Sequence, residues 1–138
     1  DIVREGSGSQ LKKRSIMHKP TICAIRGAIC VERDEPQRIE EAACKLYRTL
    51  LEQNSLEEAH IASVLITQTS DLKSRNPANG LRKGGYCNKT PLFCMQELEI
   101  DGMLERVIRM LLILNFHIEH TKPVYMDGAE RLRPDLMK

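Results

Sequence analysis

The spacing of apolar residues changes several times along this chain, and each change marks an element. Ile22, Cys23, Ala24, Ile25, Ala28 and Ile29 form a nearly continuous apolar run, which predicts a buried strand over 21–29 that Gly27 breaks near its end. The spacing then lengthens to threes and fours: Ile39, Ala42, Ala43, Leu46, Tyr47, Leu50 and Leu51 make one stripe of an amphipathic helix. Asp34 is its expected N-cap, Glu35 and Pro36 suit the first turn, and it should run to about Asn54, with Arg38, Glu40, Glu41, Lys45, Arg48 and Glu52 toward solvent. A short helical turn at Glu57-Glu58-Ala59 leads to a second strand over 61–67; further strands are expected over 90–95, 107–118 and 123–126.

Period alone leaves 107–118 open between helix and strand. Its even positions, from Ile108 to Ile118, are all apolar, while Arg109, Asn115 and His117 fall on the other side, so we read it as a strand. Residues 70–89 are loop-like, punctuated by Asn76-Pro77, Asn79-Gly80 and Gly84-Gly85, with one or two helical turns over 77–83 carrying Arg82. A loop of that length in a small domain is either functional or disordered. The order of elements gives an α+β single domain with one mixed sheet and one long helix packed on it. One helix covers one face, so an oligomer that buries the other face or the edges is expected.

Residues 1–20 are polar and aperiodic, with Gly6-Ser7-Gly8-Ser9 and Lys12-Lys13-Arg14; they read as a flexible lead-in, with Met17 a candidate native start, and leave 21–136 as the domain. At 138 residues the chain is long enough for one real core and too short for two. The net charge of +2 comes from dispersed charges, and aromatics are only 4% without Trp, which argues against nucleic-acid partners. Twelve of the 21 basic residues are Arg, the side chain suited to carboxylates, so a small acidic ligand is favoured. Five cysteines without a Cys-x-x-Cys spacing predict neither a disulfide framework nor a zinc site, and we expect a reducing, cytoplasmic setting. Apolar runs are too short for a membrane span.

The candidate chemistry centres on Arg109, set in the apolar run Val107 to Leu114. A guanidinium in a packed core needs a negative partner, and Glu97 is the nearest candidate. Two readings stay open: a structural ion pair, or an arginine awaiting an anionic ligand while Glu97 accepts from a hydroxyl on it. Phosphate loops, Gly-x-Ser-x-Gly elbows and His-Glu-x-x-His are all missing from the sequence, and His18, His60, His117 and His120 are not at ligand spacing. Cys94 has no neighbouring His to make it a nucleophile. What remains is a set of residues that bind and polarise: Arg26, Arg82, Arg109, Arg131, Arg133, Glu97, Tyr125 and Cys94.

Six segments in collinear order, Ile25-Arg26-Gly27-Ala28, Val31-Glu32-Arg33-Asp34, Cys94-Met95-Gln96-Glu97, Ile108-Arg109, Val124-Tyr125 and Leu132-Arg133-Pro134-Asp135-Leu136, resemble the trimeric α/β class of monofunctional chorismate mutases. The resemblance implies a trimeric pseudo-barrel with active sites at subunit interfaces. It implies rearrangement of chorismate to prephenate on the route to Phe and Tyr, without cofactor, metal or covalent intermediate. By the same resemblance Arg109 reaches the ether oxygen, Arg26 and Tyr125 hold the enolpyruvyl carboxylate, and Glu97 accepts from the ring hydroxyl with Cys94 beside it. Phe93, Met95 and Gln96 line the pocket, and Leu132, Arg133 and a neighbouring subunit's Arg82 close the entrance. Where the family loop places an aromatic and a lysine this chain has Asn76 and Asn79, and Phe93 replaces a smaller, usually polar residue, so weaker capture of a dianion is expected. A non-catalytic acid-binding trimer and an enamine/imine deaminase of similar fold are the competing readings; the second gives no reason for Arg109, Glu97 and Tyr125 to occur together.

Overall fold

A computed structural model describes residues 21–137; the lead-in, with Met17 and His18, lies outside them. Five strands, β1 (Cys23–Cys30), β2 (Ile61–Gln68), β3 (Leu92–Gln96), β4 (Val107–Leu114) and β5 (Val124–Met126), form one mixed sheet in the order β3-β2-β4-β1-β5. β4 runs antiparallel to both β1 and β2, whereas β3 is parallel to β2 and β5 to β1. Two helices, α1 (Pro36–Gln53) and α2 (Pro77–Lys83), lie on the same side.

All seven apolar positions of the predicted stripe are buried on α1. They meet Ile25, Ile29, Val64, Ile66, Ile108, Met110, Leu112 and Leu114, the positions that alternate toward that face. Leu46 and Leu50 are fully buried, each contributing about 1.5–3 kcal/mol by removal from water. Gly27 does not break β1. It sits mid-strand because a Cβ there would come within 3.0 Å of Leu46 Cδ1, Leu50 Cδ1 and the Val124 carbonyl oxygen, so its smallness lets α1 lie close on the sheet.

Two further expectations are corrected. The N-cap of α1 is Glu35, without a side-chain cap bond. Asp34 instead turns Oδ1 to the backbone N–H groups of Lys73 and Ser74, each at 3.0 Å, and to the Ser74 hydroxyl at 2.8 Å; three donors from a distant loop outweigh one from its own helix. β4 stops at Leu114, short of Ile118. Asn115 turns away to bond the 58–60 turn through its backbone N–H to His60 O and its amide to Ala59 O, while Phe116 and Ile118 still pack on the core from outside the strand.

The 70–89 segment is ordered. Besides the Asp34 anchor, Asp71 accepts from Thr69 Oγ1 and from the Arg106 backbone N–H, and Glu58 Oε1 takes both the Cys87 N–H at 2.7 Å and the Tyr47 hydroxyl at 3.1 Å. Leu81 and Ala78 of α2 enter the core. The opposite face of the sheet is only partly covered. A tail of two 3₁₀ turns, Ala129–Leu132 and Pro134–Met137, packs Leu132 and Leu136 on a small cluster of Ala28, Val107, Tyr125 and Ala129. Beyond it Phe93 is 61% exposed, with Met95, Leu98 and Ile100 also open.

Candidate active site

Strand pairing builds the centre of the site. Arg109 on β4 is flanked by Ala28 of β1 and Thr67 of β2, and its apolar sequence neighbours Ile108 and Met110 point the other way, into the helix-side core. The guanidinium is therefore on the open face, with 46% of its side chain exposed, and not within the packed core that its sequence neighbourhood suggested. Glu97 follows directly on β3, where its backbone N–H bonds Gln68 O at 2.8 Å. Its carboxylate swings back over β2: Oε2 accepts from Thr67 Oγ1 at 2.5 Å and stands 3.5 Å from Arg109 Nε. The partner expected for Arg109 is present, but the separation exceeds that of a closed, charge-assisted pair.

A second group of cations gathers at the β1–β5 corner. Tyr125 pairs with Ala28, two residues beyond Arg26 on the same face, and is buried under the tail. Arg33 and Arg106 bind elsewhere; it is Arg133 that faces this corner, gripping Asp135 through Nε at 3.0 Å and a terminal nitrogen at 2.8 Å. The Arg133 bond holds the Asp135 carboxyl below the usual range, with the Arg26 charge adding to it.

Of the remaining predicted residues, Cys94, Asn76, Asn79 and Arg82 lie on the helix side. Cys94 pairs with Ile66, which points into the core beneath the helices, so within one chain Cys94 and Glu97 are on opposite sides of the sheet and not beside one another. Burial pushes the Cys94 thiol up, opposed in part by the Ala78 N–H and the Arg82 charge, so it is a neutral donor at pH 7; Sγ bonds Asn76 Oδ1 at 3.3 Å. Asn76 has a structural use here. It is the N-cap of α2, accepting from Ala78 N at 2.8 Å and Asn79 N at 3.4 Å. Asn79 and Arg82 are exposed on that helix, and Gln96 is exposed at the end of β3. Phe93 and Met95 face the open side, and Leu132 is half-buried in the tail cluster.

The cavities cross this division, since the larger is also lined by Arg38 and Glu41 of α1 and the smaller joins Cys94 to Met95. A cleft of about 1350 Å³ includes Arg109, Arg106, Arg131, Lys45 and Leu132, and a smaller one of about 470 Å³ includes Cys94, Met95 and Gln96. Sequence reasoning missed Thr67 and Asp135. Thr67 had one legible signal, a polar residue that alternates with the apolar Val64 and Ile66, a signal it shares with Ser63. Among the described residues no three His, Cys, Asp or Glu side chains group as metal ligands; His60 Nδ1 accepts from the Glu57 N–H. Among the described residues no helix is long and apolar enough to cross a membrane.

Comparison with known proteins gives a consistent result. The family model for chorismate mutase type I matches residues 22–136. A chorismate mutase AroH of Thermus thermophilus is 40% identical over 115 residues, covering 81% of this chain and 93% of the relative. That of Bacillus subtilis is 31% identical over 117 residues, covering 83% and 92%. A solved chorismate mutase from Clostridium thermocellum superposes with a TM-score of 0.75 at 36% identity, covering 79% of this chain and 98% of that one.

Proposed function

The chain belongs to the type I chorismate mutase family, and from that premise we propose that it rearranges chorismate to prephenate at sites shared between neighbouring copies of itself. The observation that carries the reading is Arg109 on an open sheet face, held 3.5 Å from Glu97 without a closed pair. A structural ion pair would consume both groups. This arrangement leaves a cation and an acceptor side by side for a ligand that bears both a hydroxyl and an oxygen that gains charge.

In the rearrangement the ether C–O bond breaks as a C–C bond forms, within one molecule. Electron density builds on the ether oxygen, and Arg109 donates to it there more strongly than in the ground state, which lowers the barrier. Arg26 and Tyr125 hold the side-chain carboxylate so that the two reacting carbons lie close, converting lost freedom into rate. Glu97 accepts from the ring hydroxyl and fixes the ring. The chemistry needs no cofactor, metal or covalent intermediate. A non-catalytic acid-binding module or a deaminase is not favoured by any observation.

Site sharing is supported by the sheet itself. Arg82, Asn79 and Cys94 lie on the helix side, Arg109, Glu97, Arg26 and Tyr125 on the open side, so one chain cannot present both sets to one ligand. A neighbouring copy can. The exposed Phe93, Met95, Leu98 and Ile100 give such a neighbour an apolar surface, and we take the assembly to be a homotrimer. A cytoplasmic setting fits the five free thiols.

The test is to incubate the purified protein with chorismate and identify products by proton NMR. Stoichiometric prephenate is expected; persistence of chorismate, or any other product, would overturn the reading.

A further inference from the structure

One hydroxyl stands between the two charged groups of the site. Glu97 Oε2, the oxygen nearest Arg109 Nε at 3.5 Å, is the oxygen that accepts from Thr67 Oγ1 at 2.5 Å. Thr67 is also the strand partner of Arg109 across β2–β4 and of Met95 across β2–β3, so its hydroxyl is fixed in the middle of the sheet. The neighbouring Ile66 is fully buried on the far side and the strand cannot shift. Glu97, by contrast, lies just past the end of an edge strand, on a segment whose next residue, Leu98, is 76% exposed.

Left to themselves, a guanidinium and a carboxylate at this separation close into a two-point pair, in which each satisfies the other. Such a pair would take up both Glu97 oxygens and turn the Arg109 donors away from a ligand. Among the described residues no hydrogen bond reaches Glu97 Oε1. We propose that Thr67 is a positioning residue of the active site: its hydroxyl holds one oxygen of Glu97, which keeps the other free for the substrate hydroxyl and keeps Arg109 out of a closed ion pair, its outer N–H groups free for the ether oxygen. For the identity of the ligand this rests on the chorismate mutase reading.

The test is a double-substitution cycle. Thr67→Val removes the O–H while keeping the side-chain shape, and kcat/KM for chorismate is expected to fall about ten- to a hundredfold, with kcat falling as well because Arg109 is misdirected. Thr67→Ser restores the hydroxyl and should recover most of the loss. In a Glu97→Ala background Thr67→Val should add no further loss, since Thr67 acts only through that carboxylate. A residue that merely packs the sheet would give additive losses, and Ser would not rescue; either result overturns the proposal. Prephenate affinity, measured by calorimetry on wild type, the Thr67→Val and Glu97→Ala variants and their double variant, separates the two claims. A wild-type protein that binds prephenate without converting chorismate sinks the activity reading, while the cycle in Kd still decides on Thr67. A wild-type protein that neither binds nor converts sinks both.

Discussion

Replacing Arg109 by Ala separates catalysis from folding, because the side chain carries little weight in the fold and, on the proposed reading, a large one in the reaction. In the single chain it is 46% exposed and touches Glu97 at 3.5 Å, and an exposed pair of this kind contributes about 0–1 kcal/mol to stability. The fold should thus lose at most a few degrees in melting temperature. Thr67 still holds Glu97 after the substitution, so the carboxylate keeps a partner. On the proposed reading the transition state, in contrast, loses a donor aimed at the oxygen that gains charge, and removal of one such donor costs about 10²–10³ in kcat, or about 3–4 kcal/mol. KM should change little, since the interaction strengthens only as the bond breaks. Arg109→Lys keeps the charge without the planar fork and should fall between the two. The assay is chorismate disappearance at saturating substrate, with melting followed by circular dichroism. A kcat unchanged in folded Arg109→Ala would remove the residue from the ether oxygen.

Two other perturbations test different parts of the account. Asn79→Lys adds a cation on the exposed face of α2, and it should lower KM for the dianionic substrate about two- to fivefold with kcat little changed; an unaltered or raised KM in steady-state kinetics counts against a role for that helix at the entrance. Bonds from Ser74, backbone first, and from Lys73 hold the Asp34 carboxyl below its usual 3.8, so its contribution to stability is full above that value and is lost as pH falls through the lower folded one. Denaturation of wild type and Asp34→Asn should therefore show a stability gap that is widest near neutral pH and narrows in acid; a gap independent of pH would show that the loop anchor does not depend on that charge.

What was legible in the sequence was whatever local pattern decides. The α1 stripe was read residue for residue, because burial against a sheet imposes the helical period directly. The five strands and the short α2 were placed within a few residues for the same reason. The errors arose where distant partners win. Asp34 forsakes its own helix for a loop forty residues on, and Gly27 is small because α1 crosses above it, which no local pattern records. Asn76 reads as a lost aromatic until it is seen capping α2. At the candidate site, residue types singled out Arg109 and Glu97 as a pair, which the structure brings to 3.5 Å, but only strand register shows Thr67 between them and Cys94 on the other side of the sheet.

The proposed division of the site between two faces yields the most direct test. Arg82→Ala damages the helix-side set and Arg109→Ala the open-side set, and each protein alone should be nearly inactive. Co-expressed in equal amounts with distinguishable tags and purified as mixed trimers, they should regain about a third of wild-type turnover, since about one interface in three of a mixed trimer joins an intact Arg109 to a neighbour's intact Arg82. Mixed assemblies with no activity beyond that of the separate variants would contradict the claim that the chorismate site is built from two chains.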